Sequence, residues 1–490
     1  MPSLPDLSQL SHAQKDELIV ALFTQAHALL SNDALLHQRI ELLEARLGLN
    51  SRNSSKPPSS DGLRKPAPKS LRIAGQRPSG GQKGHTGTTL RTSEHVDAVI
   101  EHKGAEVCAT CQSALVHHEV IQKRQVFDLP PLRLQVIEHH LMRAHCSCGA
   151  IHEGAWPQGV TSAVQYGAGV KALAVHLSQQ HLVPLARVCA LMQDAFGVSL
   201  SQASLASFNA QAAQALAPTV AAIGQAVKTQ AVVHADESGI RVEGKLHWLH
   251  CLVSQQLSWL GQHARRGAQA FEALGLLAGV RGTLVHDGLA SYKELQCTHS
   301  LCNAHHLREL VFVHEQEHPF DGWAQEMIDL LVRANGEVTG HGAALPTHRQ
   351  HWYASQWDVL LARAESFNPE NTDHLLDAPR RGRHKQSKAF NLIRRLRIHR
   401  AEVWRFMTEP GVPFTNNLAE QALRMCKVKQ KISGCFRTVQ GANTFFTIRS
   451  YLQTMTKQKQ NLLQCLTSVF NGHPIQPPVG GVTSLGWALG

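Results

Sequence analysis

Three carboxylates stand where acids can do chemistry. Asp236 follows the apolar run 231–235, Asp287 follows Thr283–His286, and Glu420 lies in the run Thr415-Asn416-Asn417-Leu418-Ala419-Glu420-Gln421-Ala422-Leu423-Arg424. An acid at a strand end projects from a rigid edge, and hard oxygen ligands suit magnesium or manganese. Two such ions about 3.5–4 Å apart activate a water or a 3′-hydroxyl and stabilise the leaving oxygen in phosphodiester displacement. Each acid also has a plainer explanation. Asp236 fits a turn, Asp287-Gly288 is a common turn dipeptide, and Asn417 with Glu420 three residues on reads as a helix-capping pair. His234 and Glu237 flank the first aspartate and are expected to support it or the fold, because consecutive strand residues point to opposite faces.

A second chemistry is suggested by sulfur. Cys108-Ala-Thr-Cys111 is followed by Cys146-Ser-Cys148-Gly149. Two close pairs joined by a β-hairpin would give zinc its tetrahedron of soft ligands. Four buried thiols are the alternative, and His102 and His145 are weaker ligand candidates.

Basic residues form the third group. Between Arg380 and Arg400 there are nine Lys or Arg and no acid. Arg394, Arg395, Arg397 and Arg400 fall on an expected helix just ahead of Glu420, and Arg424, Lys427, Lys429 and Lys431 follow it. A solvated face is one explanation; contact with DNA phosphates is the other. The Ser-, Pro- and Gly-rich stretch 51–91 has nine Lys or Arg, Lys56, Arg64 and Lys65 among them, against the single acid Asp61. It reads as a flexible basic linker that either grips phosphate or only tethers.

The elements that must position these groups can be read from periodicity. Residues 11–48 read as one helix opened by a Ser11/Gln14 capping box. Leu22, Leu29, Leu36 and Leu43 recur every seven residues, with Ala26, Asp33, Ile40 and Leu47 as the companion seam, which suits a short coiled coil and a homo-oligomer. The alternation at Leu132, Leu134 and Val136 predicts a strand within 121–143. Residues 165–228 read as helices, with Phe196-Gly197-Val198-Ser199 as the elbow of a helix-turn-helix and Ser199 or Ser201 as the cap. From Gln230 five short runs read as strands: 231–240, 245–254, 257–263, 282–288 and 299–306. Residues 321–410 read as mostly helical. Acids on strand one, strand four and a late helix make the ribonuclease H-like pattern.

Beyond these readings, the chain resembles a DDE transposase of the insertion-sequence family numbered sixty-six. The resemblance rests on the run from Asn50 through Ser51-Arg52-Asn53-Ser54-Ser55-Lys56-Pro57-Pro58 to Gly62, on Gly80-Gly81-Gln82-Lys83-Gly84-His85, and on the paired cysteines. It rests also on His234-Ala235-Asp236-Glu237-Ser238-Gly239, His286-Asp287-Gly288 with Tyr292, and Asn416-Asn417 through Glu420 to Arg424. It spans about Ser11 to Leu466. It implies a DNA transposase with Asp236, Asp287 and Glu420 as catalytic ligands of two Mg2+ or Mn2+ ions, and one structural zinc. The family's Cys-x-x-His appears as Cys302-Asn303-Ala304-His305; a role for His305 beside the active site fits, whereas a lone pair is a poor zinc site. The implied partners are the element's terminal inverted repeats, target DNA and companion proteins of the same element.

The expected architecture is therefore multidomain α+β. It comprises a coiled-coil helix (11–48), a basic linker (49–98), a small zinc-binding β module (99–155), a helix-turn-helix-like region (165–228), a ribonuclease H-like α/β domain (229–455, helical insertion about 315–410) and a C-terminal segment (456–490). Two rivals share most of these features: a zinc and helix-turn-helix DNA-binding regulator without catalysis, and a ribonuclease H-like nuclease that does not transpose.

Composition sets the outer bounds. The 490 residues suggest about three domains, and 48 Lys plus Arg against 37 Asp plus Glu give a formal charge of +11, which favours an anionic partner. A hydrophobic fraction of 43% excludes a wholly disordered chain. An odd 11 cysteines argue against a secreted disulfide scaffold. No signal peptide is expected, and the uncharged stretch 195–227 is too often broken by Gln and Asn to span a membrane. A reducing bacterial cytoplasm, at the nucleoid, is the expected compartment.

Overall fold

The computed structural model describes residues 11–47, 90–102, 106–114, 120–129, 134–275, 279–317, 321–370 and 386–478. They are α-helical and β-stranded in mixture, and the chain divides into two compact units, one of residues 1–68, 162–185 and 203–490, the other of residues 69–161 and 186–202. Lys56, Arg64 and Lys65 lie outside the described residues.

Helix α1 (His12–Leu47) opens on the expected reciprocal cap. Ser11 N–H donates to Gln14 Oε1 at 3.0 Å and Gln14 N–H to Ser11 Oγ at 3.4 Å. Leu22, Leu29, Leu36 and Ile40 are all more than half exposed, so the heptad seam lies uncovered in the single chain. The side chains of Leu43 and Leu47 lie outside those described.

The second unit holds the cysteine pairs. Val107 bridges to Ala114 around the first pair, and β1 (Arg143–His145) pairs with β2 (Ile151–Glu153) around the second. The strand predicted within 121–143 does not form: the described residues 120–129 and 134–142 carry no strand. Leu132 lies outside the described residues. Ile121, Val126 and Val136 are 84–91% exposed, so this stretch has no buried face to fix a ladder. The second pair sits in the turn of the β1–β2 hairpin instead of being linked to the first by one.

Helix α2 (Ala168–Val175) runs into a π-turn, His176–Gln180; α3 (Leu185–Phe196) and α4 (Gln202–Lys228) follow. Helix α3 ends at the left-handed Gly197, whose N–H donates to Gln193 O at 2.9 Å.

The first unit contains one five-stranded sheet. The first four expected runs become β3 (Val232–Val242), β4 (Lys245–Val253), β5 (Ser258–His263) and β6 (Thr283–His286), whereas the fifth, 299–306, gives β7 (Thr298–Leu301) only in its first half, Asn303 onward being helix. Their order across the sheet is β5-β4-β3-β6-β7. The β3–β4 and β4–β5 pairs are antiparallel; β3–β6 and β6–β7 are parallel. Helix α5 (Ala268–Ala273) precedes β6, and α6 (Asn303–Phe312) follows β7.

Strand alternation gives β3 two distinct faces. Val233 and Ala235 pack with Ile223 and Val227 of α4. Ile240 and Val242 pack with Ala419, Ala422, Leu423 and Cys426 of α11 (Asn417–Ser433) and with Phe445 and Phe446 of α12 (Val439–Lys457). The spacing 419, 422, 423, 426 is the apolar stripe of a helix lying on a sheet. Between β7 and α11, helices α7 (Trp323–His341), α8 (Thr347–Phe367), α9 (Lys388–Ile398) and α10 (Arg400–Thr408) enclose their own core around Trp323, Trp357 and Trp404. Helix α13 (Leu462–Phe470) closes the described elements.

Candidate active site

Asp236 does not end its strand, as the sequence suggested. Strand β3 continues to Val242 because β4 pairs with it along that length. What ends near Asp236 is the partnership with β6, whose last registered pair is His234 with Val285. Carrying that register on by two residues sets Asp236 beside Asp287. Asp287 caps a turn as well: its Oδ1 accepts from Leu289 N at 3.0 Å, with Gly288 at φ +92°. Its turn role and its place next to Asp236 therefore coexist.

Glu420 comes from the opposite direction, in the first turn of α11. The expected cap, Asn417, is already inside the helix. The residue before it, Asn416, is fully buried and uses its side chain elsewhere. His234 Nδ1 donates to Asn416 Oδ1 at 2.9 Å, and Asn416 Nδ2 donates to Ala235 O at 2.8 Å. Its backbone N–H donates to Cys302 Sγ at 3.1 Å. Asn416 thus fastens the start of α11 to β3, on the face that carries Asp236. Burial holds His234 neutral, with its pKa down at about 4. Two adjacent asparagines before a helix were visible in sequence; that the first would be a cross-link was not.

Burial raises the Asp236 pKa well above the ordinary carboxylate range, and the neighbouring charges of Glu237, Asp287 and Glu420 raise it further. The opposite face of β3 handles its charge differently. Glu237 is buried and accepts from Arg266 Nε at 3.0 Å, Arg266 Nη2 at 2.6 Å and Tyr292 Oη at 2.6 Å. Burial still raises its pKa, and the Tyr292 and Arg266 bonds pull it back. Tyr292 stacks on Phe271, with ring centroids 5.0 Å apart. The loop after Asp287 is therefore pinned to the strand that carries Asp236. Arg266, which also lies over the Trp248 ring at 4.8 Å, was not anticipated from sequence.

Cys302 and His305 do lie beside the acids. One ligand atom from each of Cys302, His305 and Glu420 falls within 4.8 Å of the other two. Among the described residues no other three His, Cys, Asp or Glu side chains meet that closely, so the three acids are not drawn together as tightly.

The cysteine pairs are not buried thiols: Cys111, Cys146 and Cys148 are exposed and Cys108 is half-buried. Each pair converges within itself. Backbone N–H groups of Cys111 and Thr110 hold the Cys108 thiol down to about 7, and the Cys148 N–H lowers that of Cys146.

The arginines of α9 and of the start of α10 divide. Arg395 is paired with Glu309, Arg397 with Glu365 at 2.5 Å and Arg400 with Asp358 at 3.1 Å. Arg394 and Arg424 are exposed, while the Lys427 ammonium donates to Gly239 O. Among the described residues no helix is long and apolar enough to cross a membrane.

A family model described as Transposase IS66 family matches residues 163–444, more than half of the chain and all three acids. A second, described as a family of unknown function, matches residues 2–91. No curated protein matches the chain.

Proposed function

Because the chain belongs to the Transposase IS66 family, we propose that it cuts and joins DNA at the terminal inverted repeats of an insertion sequence, with Asp236, Asp287 and Glu420 as the catalytic acids. The observation that carries this reading is that Asp287 and Glu420, carried by two other elements, both raise the pKa of Asp236 on β3. Like charges gathered at a half-buried site call for a cation. The strand order β5-β4-β3-β6-β7, antiparallel on one side of β3 and parallel on the other, supports a ribonuclease H-like domain over 229–455.

The donors fit hard divalent ions, Mg2+ or Mn2+. Such ions, when bound, supply an activated water or 3′-hydroxyl and stabilisation of the leaving oxygen. The chain's own part is positional. Asp236 is held by the β3–β4 ladder, Asp287 by its turn and by the Tyr292–Glu237 bond, and Glu420 by Asn416. Arg394 and Arg424 are exposed for phosphate contact, whereas Arg395, Arg397 and Arg400 are engaged by carboxylates. Lys427 serves the fold more than DNA. Lys56, Arg64 and Lys65 in the linker add sequence-independent grip, and the uncovered leucines of α1 take a second copy of the chain. The half-buried Cys108 and exposed Cys111, Cys146 and Cys148, with N–H groups lowering the Cys108 and Cys146 thiols, suit a structural zinc that would close the two pairs on each other.

Strand transfer in vitro tests this. Purified protein, Mg2+ or Mn2+ and labelled element ends should yield joined product, and Asp287→Asn should yield none while still binding ends. Full joining by that variant removes the site assignment. Specific end binding without cleavage by the unaltered chain, with companion proteins of the element added, favours the regulator.

A further inference from the structure

We propose that Cys302, His305 and Glu420 form a second metal site, softer than the first, which takes zinc and draws Glu420 away from the catalytic aspartates. The inference rests on Glu420 being the third catalytic acid. Its starting point is geometric: the ligand atoms of these three residues lie within 4.8 Å of one another, closer than the three acids do. Two helix starts meet here. Cys302 stands at the N-cap of α6 with His305 one turn on, and Glu420 is in the first turn of α11. The Asn416 N–H to Cys302 Sγ bond ties the two starts together.

The donor atoms are short of partners of the right kind. His305 Nδ1 is buried with no hydrogen-bond partner. Cys302 is 1% exposed, and its sulfur receives a backbone N–H, the setting in which metal-bound thiolates are held. Glu420 is exposed, so an ion can reach the site from solvent. One thiolate, one imidazole and one carboxylate with a fourth position open to water is a zinc donor set, and sulfur and nitrogen disfavour magnesium. On binding, the Cys302 thiol gives up its proton to water as the sulfur–zinc bond forms. Zinc here and magnesium at the aspartates compete for one carboxylate, so zinc should inhibit joining, and DNA ends that organise the magnesium site should oppose it.

Zinc content of the full chain provides the test, with a readout independent of catalysis. Protein loaded with excess zinc and freed of unbound ion is compared with Cys302→Ser, His305→Gln and Cys108→Ser. Each variant should carry about one zinc fewer per chain, and Cys108→Ser combined with His305→Gln should lose both. His305→Gln should also resist zinc inhibition of strand transfer at least about tenfold better. Because Cys302 is buried and its variant can fail to fold, His305→Gln decides. If that protein, with the near-ultraviolet dichroism of the parent, keeps the parent's zinc, the proposal is overturned. Loss of that zinc in a chain that joins no DNA upholds the metal site and refutes only the catalytic reading.

Discussion

The sheet around Asp236 and the cysteine module reach their geometry by opposite means. In the sheet, acids that repel one another are held by ladders, by the Asn416 and Tyr292 bonds, and by apolar cores on both faces. In the module, two three-residue strands and one isolated bridge surround thiols that are mostly exposed. The first spends core stability to keep a charge cluster assembled. The second has little core, and on the proposed reading a metal supplies the closure. On that reading a metal serves chemistry in one region and folding in the other.

The largest effect that can break this contrast is at the acids. Asp236→Asn should lower strand transfer by about 10³-fold or more, yet raise thermal stability. The sign follows from the raised pKa of Asp236. The folded chain holds this proton more tightly than the unfolded chain does. Its contribution to stability is full below the ordinary carboxylate range and is lost as pH rises through the raised value. The amide removes that loss, so melting temperatures of variant and parent should diverge as pH rises above the carboxylate range. A variant less stable than its parent at neutral pH would mean the acids are not in conflict.

Metal removal sharpens the other side. A strong chelator, or Cys108→Ser, should make residues 90–161 sensitive to protease while the main calorimetric transition, that of the sheet and its helices, stays within a few degrees. A shift of the main transition would show that the fold of the sheet depends on the module.

A backbone change in the sheet comes next in size. A Cβ on Gly282 would lie 2.2 Å from Gln230 O and 2.3 Å from Ala231 O, where β6 joins β3. Gly282→Ala should cost roughly 1–3 kcal/mol, read by denaturant midpoint, and should lower joining further by displacing Asp287. Stability unchanged would mean the β3–β6 register is slack.

What sequence revealed divides along the same line. The five strands were legible because each apolar run is short, bounded by turns and buried in one sheet. The α1 cap was legible because its partners are three residues apart. The strand near Leu134 was misread because alternation marks a strand only where something covers one face, and here nothing described does. The three acids were singled out by their types and by family resemblance. The means of holding them was not: Asn416 reaches Ala235 across 181 positions and Arg266 reaches Glu237 across 29. Such partners leave no local period to read.

The smallest effects decide whether the charges of α9 belong to the fold or to DNA. Arg395 and Arg397 are half-exposed and already paired with Glu309 and Glu365. Exposed pairs contribute about 0.2–1 kcal/mol, so Arg395→Ala should lower stability by that order and leave the salt dependence of end binding alone. Arg394 is on the same helix and exposed. Arg394→Ala should leave stability unchanged and reduce the slope of log affinity against log salt by about 1. Both effects are small, but they are opposite in kind on neighbouring residues of one helix. An acid-free run in sequence thus contains two populations, separated only by which acids the fold brings to them. If Arg395→Ala lowers the salt slope as much as Arg394→Ala, the ion pairs open on DNA and the division fails.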